Sequence, residues 1–408
     1  YSEDSSALLS RLEQLQCHFT WDLKLDVDLE TLSHRLQIDI DFHQSHHEGE
    51  SCTYSLLDQQ EEALSLLNQS EKTIRERHGD ESERRLIVTY GDMAWLKYHD
   101  GDFAQSKSYC QRYSTGSSGS FIPEVYGEQA WTYFKMSRSF LSDAIDCFRK
   151  ALEVKTRDIE WNAGYAIALF CREQVNEESQ ATKQLRFALK INPNNAALQC
   201  MLAVKLVTYK KYEEADGLVK KALENDPYNP HVIRHSGNYL LNQNRLDEAI
   251  DVIKKGLKRG DQVPSFTYQL AMCYKQKKIA EEHQEVGKWR CCCISHLEDT
   301  VEMKPSFVRA WAELALLYAE EEDLSRCLSK QKLKEKRVCQ IIHQYYGDFL
   351  HYHKENEAQA IAHYTKVSFR VPDSDWSSLT KKCMKAIKGS ILQPLFLLNL
   401  LNINVILC

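Results

Sequence analysis

Residues 196–227 read AALQCMLAVKLVTYKKYEEADGLVKKALENDP, and this stretch decides the fold. Counted from Ala196, the small residues Ala203, Ala215 and Ala222 fall at places 8, 20 and 27, and Pro227 falls at place 32. The next segment keeps the frame: counted from Pro230, Gly237, Ala249 and Gly256 occupy places 8, 20 and 27. Counted from Val308, Trp311, Leu314, Ala315 and Tyr318 occupy places 4, 7, 8 and 11. The prolines mark the period. Pro193 and Pro227 are 34 residues apart, Pro264 follows after 37, Pro305 after 41, and Pro372 after 67, close to two more periods. Small residues where two helices touch, with a proline to break the second, describe an antiparallel helix pair repeated about every 34 residues.

That is the pattern of the tetratricopeptide repeat. The fold class it predicts is all-α: a tetratricopeptide-repeat superhelix, in which antiparallel helix pairs form a curved solenoid with an inner groove or tunnel. Such a surface recognises something, so the functional question is what it binds.

Composition narrows the answer. The chain has 408 residues, 43% hydrophobic and 27% charged, which is ample material for a core. Only 15 Gly and eight Pro argue against an all-β or disordered chain. A net charge of −6 does not advertise nucleic acid, so any such site must be a local basic lining. Fourteen cysteines without regular spacing, and no signal peptide or membrane-spanning stretch in the body, suggest a reducing, cytoplasmic setting. The run Cys291-Cys292-Cys293 cannot wrap one tetrahedral metal, because adjacent side chains point apart; buried or loop thiols are expected instead. His43, His46 and His47 are read as solvated histidines beside a loop. No metal and no cofactor is expected. The sequence begins at Tyr1 rather than Met, so a true N-terminus is expected to lie upstream.

Along the chain, residues 1–50 read as a helical lead-in, with Leu8, Leu9, Leu12 and Leu15 as one stripe and a second amphipathic stretch from Asp28 to Phe42. Residues 51–120 hold an N-terminal repeat pair and a Ser/Gly loop, Ser114–Ser120. The first repeat is short, because Ser55-Leu56-Leu57 runs almost directly into Gln59-Gln60-Glu61-Glu62-Ala63-Leu64 and leaves no room for a first helix of about four turns. Residues 121–262 are central repeats, with a polar insertion at Glu173–Ser179. Residues 263–372 are C-terminal repeats, with an insertion at about Lys278–Arg290. Residues 373–408 are an atypical tail ending in the uncharged run Ile391–Cys408. Its 18 residues could just span a bilayer, but Gln393, Pro394, Asn399, Asn402 and Asn404 argue for an aberrant terminus.

In such repeats the first helix lines the inner side, mainly through places 2, 5, 9 and 12. These are His231, Arg234 and Asn238, then Ser265, Tyr268, Met272 and Lys275, then Arg309. Cations that neutralise phosphates and rings that stack on bases suit a single nucleic-acid strand. Acidic peptide tails, or a merely solvated polar face, fit this spacing as well, and the three readings stay open on spacing alone. No enzyme signature is present: no Gly-rich phosphate loop, no HExxH, no GxSxG.

The run Leu12-Glu13-Gln14-Leu15-Gln16-Cys17-His18-Phe19-Thr20-Trp21 resembles the start of the interferon-induced proteins with tetratricopeptide repeats. The resemblance continues through Glu61–Leu64, Leu86–Trp95, Trp131–Lys135, Ala163–Ile167, Ile191–Asn195, Gln269–Tyr274 and Tyr346–Phe349, and covers residues 8 to about 370. It implies a cytosolic, interferon-inducible antiviral protein without catalytic activity. Such a protein sequesters single-stranded RNA bearing a 5′ triphosphate or cap, or blocks its translation. The implied partners are single-stranded and viral RNA, with family members or the translation initiation machinery as further candidates and no DNA or membrane. An interaction scaffold that no longer needs RNA is the rival reading, and a product that does not fold stably is the third.

The resemblance also implies RNA-binding residues. Arg35 matches an arginine on the 5′ phosphates, Trp131 the aromatic platform of the 5′-terminal pocket, Lys135 a phosphate-binding lysine, and Ile167 an apolar wall of that pocket. Arg234, Gln269 and Lys304 match positions that hold RNA further along, and Tyr268 stands where relatives often have His. The sequence also departs from the pattern. Cys171 replaces a phosphate-binding Arg, with Arg172 about 100° round the helix; Asp39 replaces a Gln, Leu141 a Tyr, and His43 an apolar cap-pocket residue. Weakened 5′-end recognition is therefore expected.

Overall fold

Asn195 and Asn229 start helices for a local reason. The side chain of Asn195 accepts the Leu198 N–H at 3.1 Å, and that of Asn229 accepts the His231 N–H at 3.0 Å, each satisfying a first-turn donor. Asp158 does the same for the Trp161 N–H at 3.0 Å. Pro230 sits at a first-turn position, where its missing N–H costs nothing. Within repeats the turn between helices uses a left-handed residue: Gly101 (φ 79), Lys210 (φ 57) and Asn244 (φ 57).

The protein is described by a computed structural model over residues 3–21, 23, 60–116, 122–173, 179–258, 263–280, 285–320, 343, 345–348, 350–351 and 357–368. Arg35, Asp39, His43, the start of the first repeat and the apolar tail lie outside these residues. Among the described residues every regular element is a helix, in two compact units, Tyr1–Glu214 and Ala215–Cys408.

The first unit contains α1 (Glu3–Leu12), α2 (Gln60–His78), α3 (Ser82–Arg85), α4 (Ile87–His99), α5 (Phe103–Gly116), α6 (Pro123–Met136), α7 (Leu141–Val154), α8 (Ile159–Arg172), α9 (Gln180–Ile191) and α10 (Ala196–Thr208). From α4 onward these are antiparallel pairs in the expected register. Leu8, Leu12 and Leu15 bury the lead-in stripe against Leu86, Ile87 and Tyr90. Helix α11 (Tyr212–Asn225) starts three residues before the second unit, which continues with α12 (Pro230–Asn242), α13 (Leu246–Leu257), α14 (Pro264–Ala280), α15 (Val286–Met303), α16 (Val308–Glu320) and α17 (Glu357–Ser368).

The place-8 and place-27 residues are where the helices of a pair meet. A Cβ on Gly237 would lie 2.9 Å from Ile253, and one on Gly256 would lie 3.0 Å from both Ile233 and Phe266. No side chain larger than hydrogen fits α12 against α13 at this separation without a shift.

The expected insertion at about Lys278–Arg290 falls where α14 runs on to Ala280 and α15 starts at Val286. Cys291, Cys292 and Cys293 therefore sit on a helix rather than a loop, and 100° steps leave Cys291 exposed while Cys293 is buried. Ser114, Thr115 and Gly116 close α5 instead of belonging to the Ser/Gly loop. No described helix is long and apolar enough to cross a membrane. Among the described residues no cluster of His, Cys, Asp and Glu could hold a metal ion.

Candidate nucleic-acid interface

In the first unit the site is built on α6 and α8. Trp131 and Lys135 are one turn apart on α6, so they share a face. The Trp131 ring meets Phe148 of α7 edge-on, with centroids 5.2 Å apart, and Phe134 at 5.9 Å. Gly164 of α8 permits this packing: a Cβ there would lie 2.4 Å from Phe148 and 2.8 Å from Trp131. Ile167 and Cys171 follow one and two turns on along the same face of α8, both half-buried. The Trp131 indole N–H is buried without an acceptor among the described residues. Arg172 is exposed and its guanidinium donates to Gln180 at 3.4 Å, so its reach is along α9 and not onto the Cys171 face.

A buried polar chain fixes α6 behind that site. His18 Nδ1 lies 2.7 Å from Asp92 Oδ2, and the His18 backbone N–H donates to Asp92 Oδ1 at 3.0 Å. His18 Nε2 lies 2.9 Å from Thr132 Oγ1, and the Thr132 hydroxyl donates to the Glu128 carbonyl at 2.9 Å. Thr20 closes the turn, donating to the Leu15 carbonyl at 2.6 Å and accepting the Cys17 N–H at 3.1 Å. Burial, with Asp92 nearby, pushes the Cys17 thiol well above its ordinary value, so it packs as a neutral group. The segment Cys17-His18-Phe19-Thr20-Trp21 thus ties the lead-in to α4 and α6.

In the second unit α12 presents Arg234, whose Nη2 lies 3.4 Å from His231 Nδ1. Gln269 is buried on α14 and donates through Nε2 to the Arg234 carbonyl at 2.9 Å. Its neighbour Tyr268 is half-buried, with its ring 4.9 Å from that of Phe307. Burial first, and Glu313 second, push the Tyr268 phenol far up, so it stays a hydrogen-bond donor. Lys304 is exposed at the end of α15, and its carbonyl accepts the Phe307 N–H at 2.9 Å, which sets it beside the Tyr268–Phe307 pair. Lys275, placed on the inner face by its spacing, donates to Glu313 Oε2 at 2.5 Å.

In the first unit Trp131 and Lys135 thus share a face of α6, and Trp131 packs on Gly164 one turn before Ile167; in the second, Gln269 bonds the Arg234 carbonyl and Tyr268 meets Phe307, whose N–H bonds the Lys304 carbonyl. No family model matches the chain. The human antiviral innate immune response effector IFIT1 is 29% identical over 430 residues, covering 96% of this chain and 89% of its own. Human interferon-induced protein with tetratricopeptide repeats 2 is 29% identical over 395 residues, covering 88% of this chain and 83% of its own. The chain is thus similar over nearly its whole length to the interferon-induced proteins with tetratricopeptide repeats.

Solved structures of such proteins agree with this chain in fold. A human IFIT1 dimer with m7Gppp-AAAA superposes with a TM-score of 0.72 at 28% identity, covering 93% of this chain and 90% of that one. The human IFIT1 dimer with PPP-AAAA gives a TM-score of 0.69 at 29% identity over the same shares, 93% and 90%. In this chain, place counting overlooks three features. Glu313 sits at place 6, outside the counted places. Phe307 precedes its helix, though an aromatic after Lys-Pro-Ser was a usable signal. Asp92 and Thr132 read as ordinary helix residues, because their partner His18 is 74 and 114 residues away.

Proposed function

We propose that this protein is an antiviral RNA-binding effector of the innate response. It holds single-stranded RNA on the inner side of its repeats and sequesters it or blocks its translation, in the cytosol and without chemistry on the RNA. One observation carries the reading: cations stand near half-buried rings in both units, Lys135 one turn from Trp131 on α6 and Lys304 near the Tyr268–Phe307 pair, in a fold shared with human IFIT1 structures with m7Gppp-AAAA and PPP-AAAA. Arg234 and Lys304 supply charge toward phosphates, and Tyr268 with Phe307 offers a stacking edge. Gln269 serves by fixing the Arg234 segment of α12.

The 5′ end is held less well. Trp131, Lys135 and Ile167 still make a platform, a cation and a wall, and Arg35 belongs to the same set. Cys171 leaves the α8 face without a guanidinium, and Asp39 adds an anion. Each change costs on the order of 1–3 kcal/mol of phosphate binding. The test is Arg234→Glu in a gel-shift titration with single-stranded RNA at low salt. Affinity should fall whatever the 5′ end; unchanged affinity would remove the reading.

A further inference from the structure

The second unit carries a feature that opposes its own ligand. Lys275 extends from α14 and Glu313 from α16, and their charged ends meet at 2.5 Å. The two side chains are only 31% and 23% exposed, so water screens the pair less than it would a surface pair. The carboxylate also lies close enough to Tyr268 to raise its phenol. Glu313 is thus on the same face as the Tyr268–Phe307 pair, with Arg309 one turn before it on α16. One repeat edge further, Lys278 donates to Glu320 at 2.6 Å, and Arg290 lies 3.5 Å from the same carboxylate. The two acids of α16 occupy cations of α14 and α15, among them Lys275, which the place count assigns to the inner face.

We propose that Glu313 limits affinity on this face: it occupies Lys275 as an internal substitute for an RNA phosphate, so the backbone is gripped with one cation fewer than the sequence displays. A phosphate can reach Lys275 only by displacing a carboxylate already in place, and that carboxylate then repels it. The inference rests on the RNA-binding reading above. It names the residue that sets how tightly, and with how many ionic contacts, the second unit holds the strand.

The test is a fluorescence-anisotropy titration of the full chain with a uniform single-stranded RNA bearing a 5′ hydroxyl, which leaves the end pocket out of play. Wild type, Glu313→Gln, Lys275→Met and the double variant are compared over a salt series, with thermal melts to establish that each is folded. Glu313→Gln should bind about threefold tighter at low salt, and the slope of log K against log salt should steepen by about 0.7, one phosphate contact on a single strand. Lys275→Met should change wild-type affinity little but remove the whole gain in the Glu313→Gln background. The inference is overturned if Glu313→Gln leaves affinity and slope unchanged. It is equally overturned if Lys275→Met weakens wild type as much as it weakens Glu313→Gln, since Lys275 would then already hold phosphate. If folded wild type and Glu313→Gln both fail to bind at low salt, the RNA reading falls and the inference with it. Binding without coupling between the two residues removes the inference alone.

Discussion

Trp131 meets Phe148 edge-on, with ring centroids 5.2 Å apart and planes at 88°, and both rings rest against the backbone of Gly164. Perpendicular aromatic pairs are favourable because the positive ring edge faces the negative ring face. Here the pairing also fixes the platform proposed for the first base.

Gly164→Ala places a methyl group within 2.4 Å of Phe148 as the rings now stand. Gly164 is buried against both rings, so the substitution should destabilise the protein by about 1–3 kcal/mol and tilt Trp131. Urea denaturation measures the first effect, and a shift in tryptophan emission reports the second.

Thr132→Val keeps the shape of a side chain whose hydroxyl stands between His18 Nε2 and the Glu128 carbonyl. Leaving a buried His18 nitrogen without that neighbour should cost about 1–3 kcal/mol. The loss should also loosen the lead-in, seen as faster hydrogen exchange at residues 16–20 than elsewhere in the first unit.

His235 predicts a pH dependence. It is buried on α12, and burial first and Arg234 second depress its pKa well below the ordinary histidine value. The unfolded chain therefore binds a proton near pH 6.5 that the folded chain refuses. Stability rises with pH below that value and is lost as pH falls through it, by about 1.4 kcal/mol per pH unit for one such group. Half-buried His296, also depressed by burial, adds in the same direction. Between pH 7.5 and 5.5 the urea midpoint should drop, and His235→Gln should flatten the change.

Much of this was legible in the sequence because a repeat writes its own register. Small residues at places 8 and 27 foretell where α12 and α13 touch, as Gly237 against Ile253 bears out, and Asn195 and Asn229 mark helix starts. Gly91 shows the limit of that logic. It stands at a place-8 position of its repeat, yet a Cβ there would lie 2.7 Å from Cys17 of the lead-in, closer than the 3.7 Å to Tyr113 of its sister helix α5. Local periodicity cannot announce a contact 74 residues away, which is why Asp92 was not read as a partner of His18. Charge is the other blind spot. Lys275 looked like a cation for phosphate, but its worth depends on Glu313, which only the fold brings to it.

The 5′ pocket yields a gain-of-function expectation. Cys171→Arg combined with Asp39→Gln should restore a preference for 5′-triphosphate RNA of at least about tenfold, roughly 1.4 kcal/mol, because a guanidinium grips phosphate through parallel hydrogen bonds. A filter-binding assay of both 5′ forms would show it.

The most direct measurement compares 5′-triphosphate and 5′-hydroxyl forms of one single-stranded RNA, bound by the unmodified chain across a salt series. The proposed function predicts binding of both forms, log K falling linearly with log salt, and only a modest advantage for the triphosphate. A folded chain that binds neither form at low salt would contradict RNA binding itself. A strong triphosphate preference would contradict the weakened 5′ site assigned to Cys171 and Asp39.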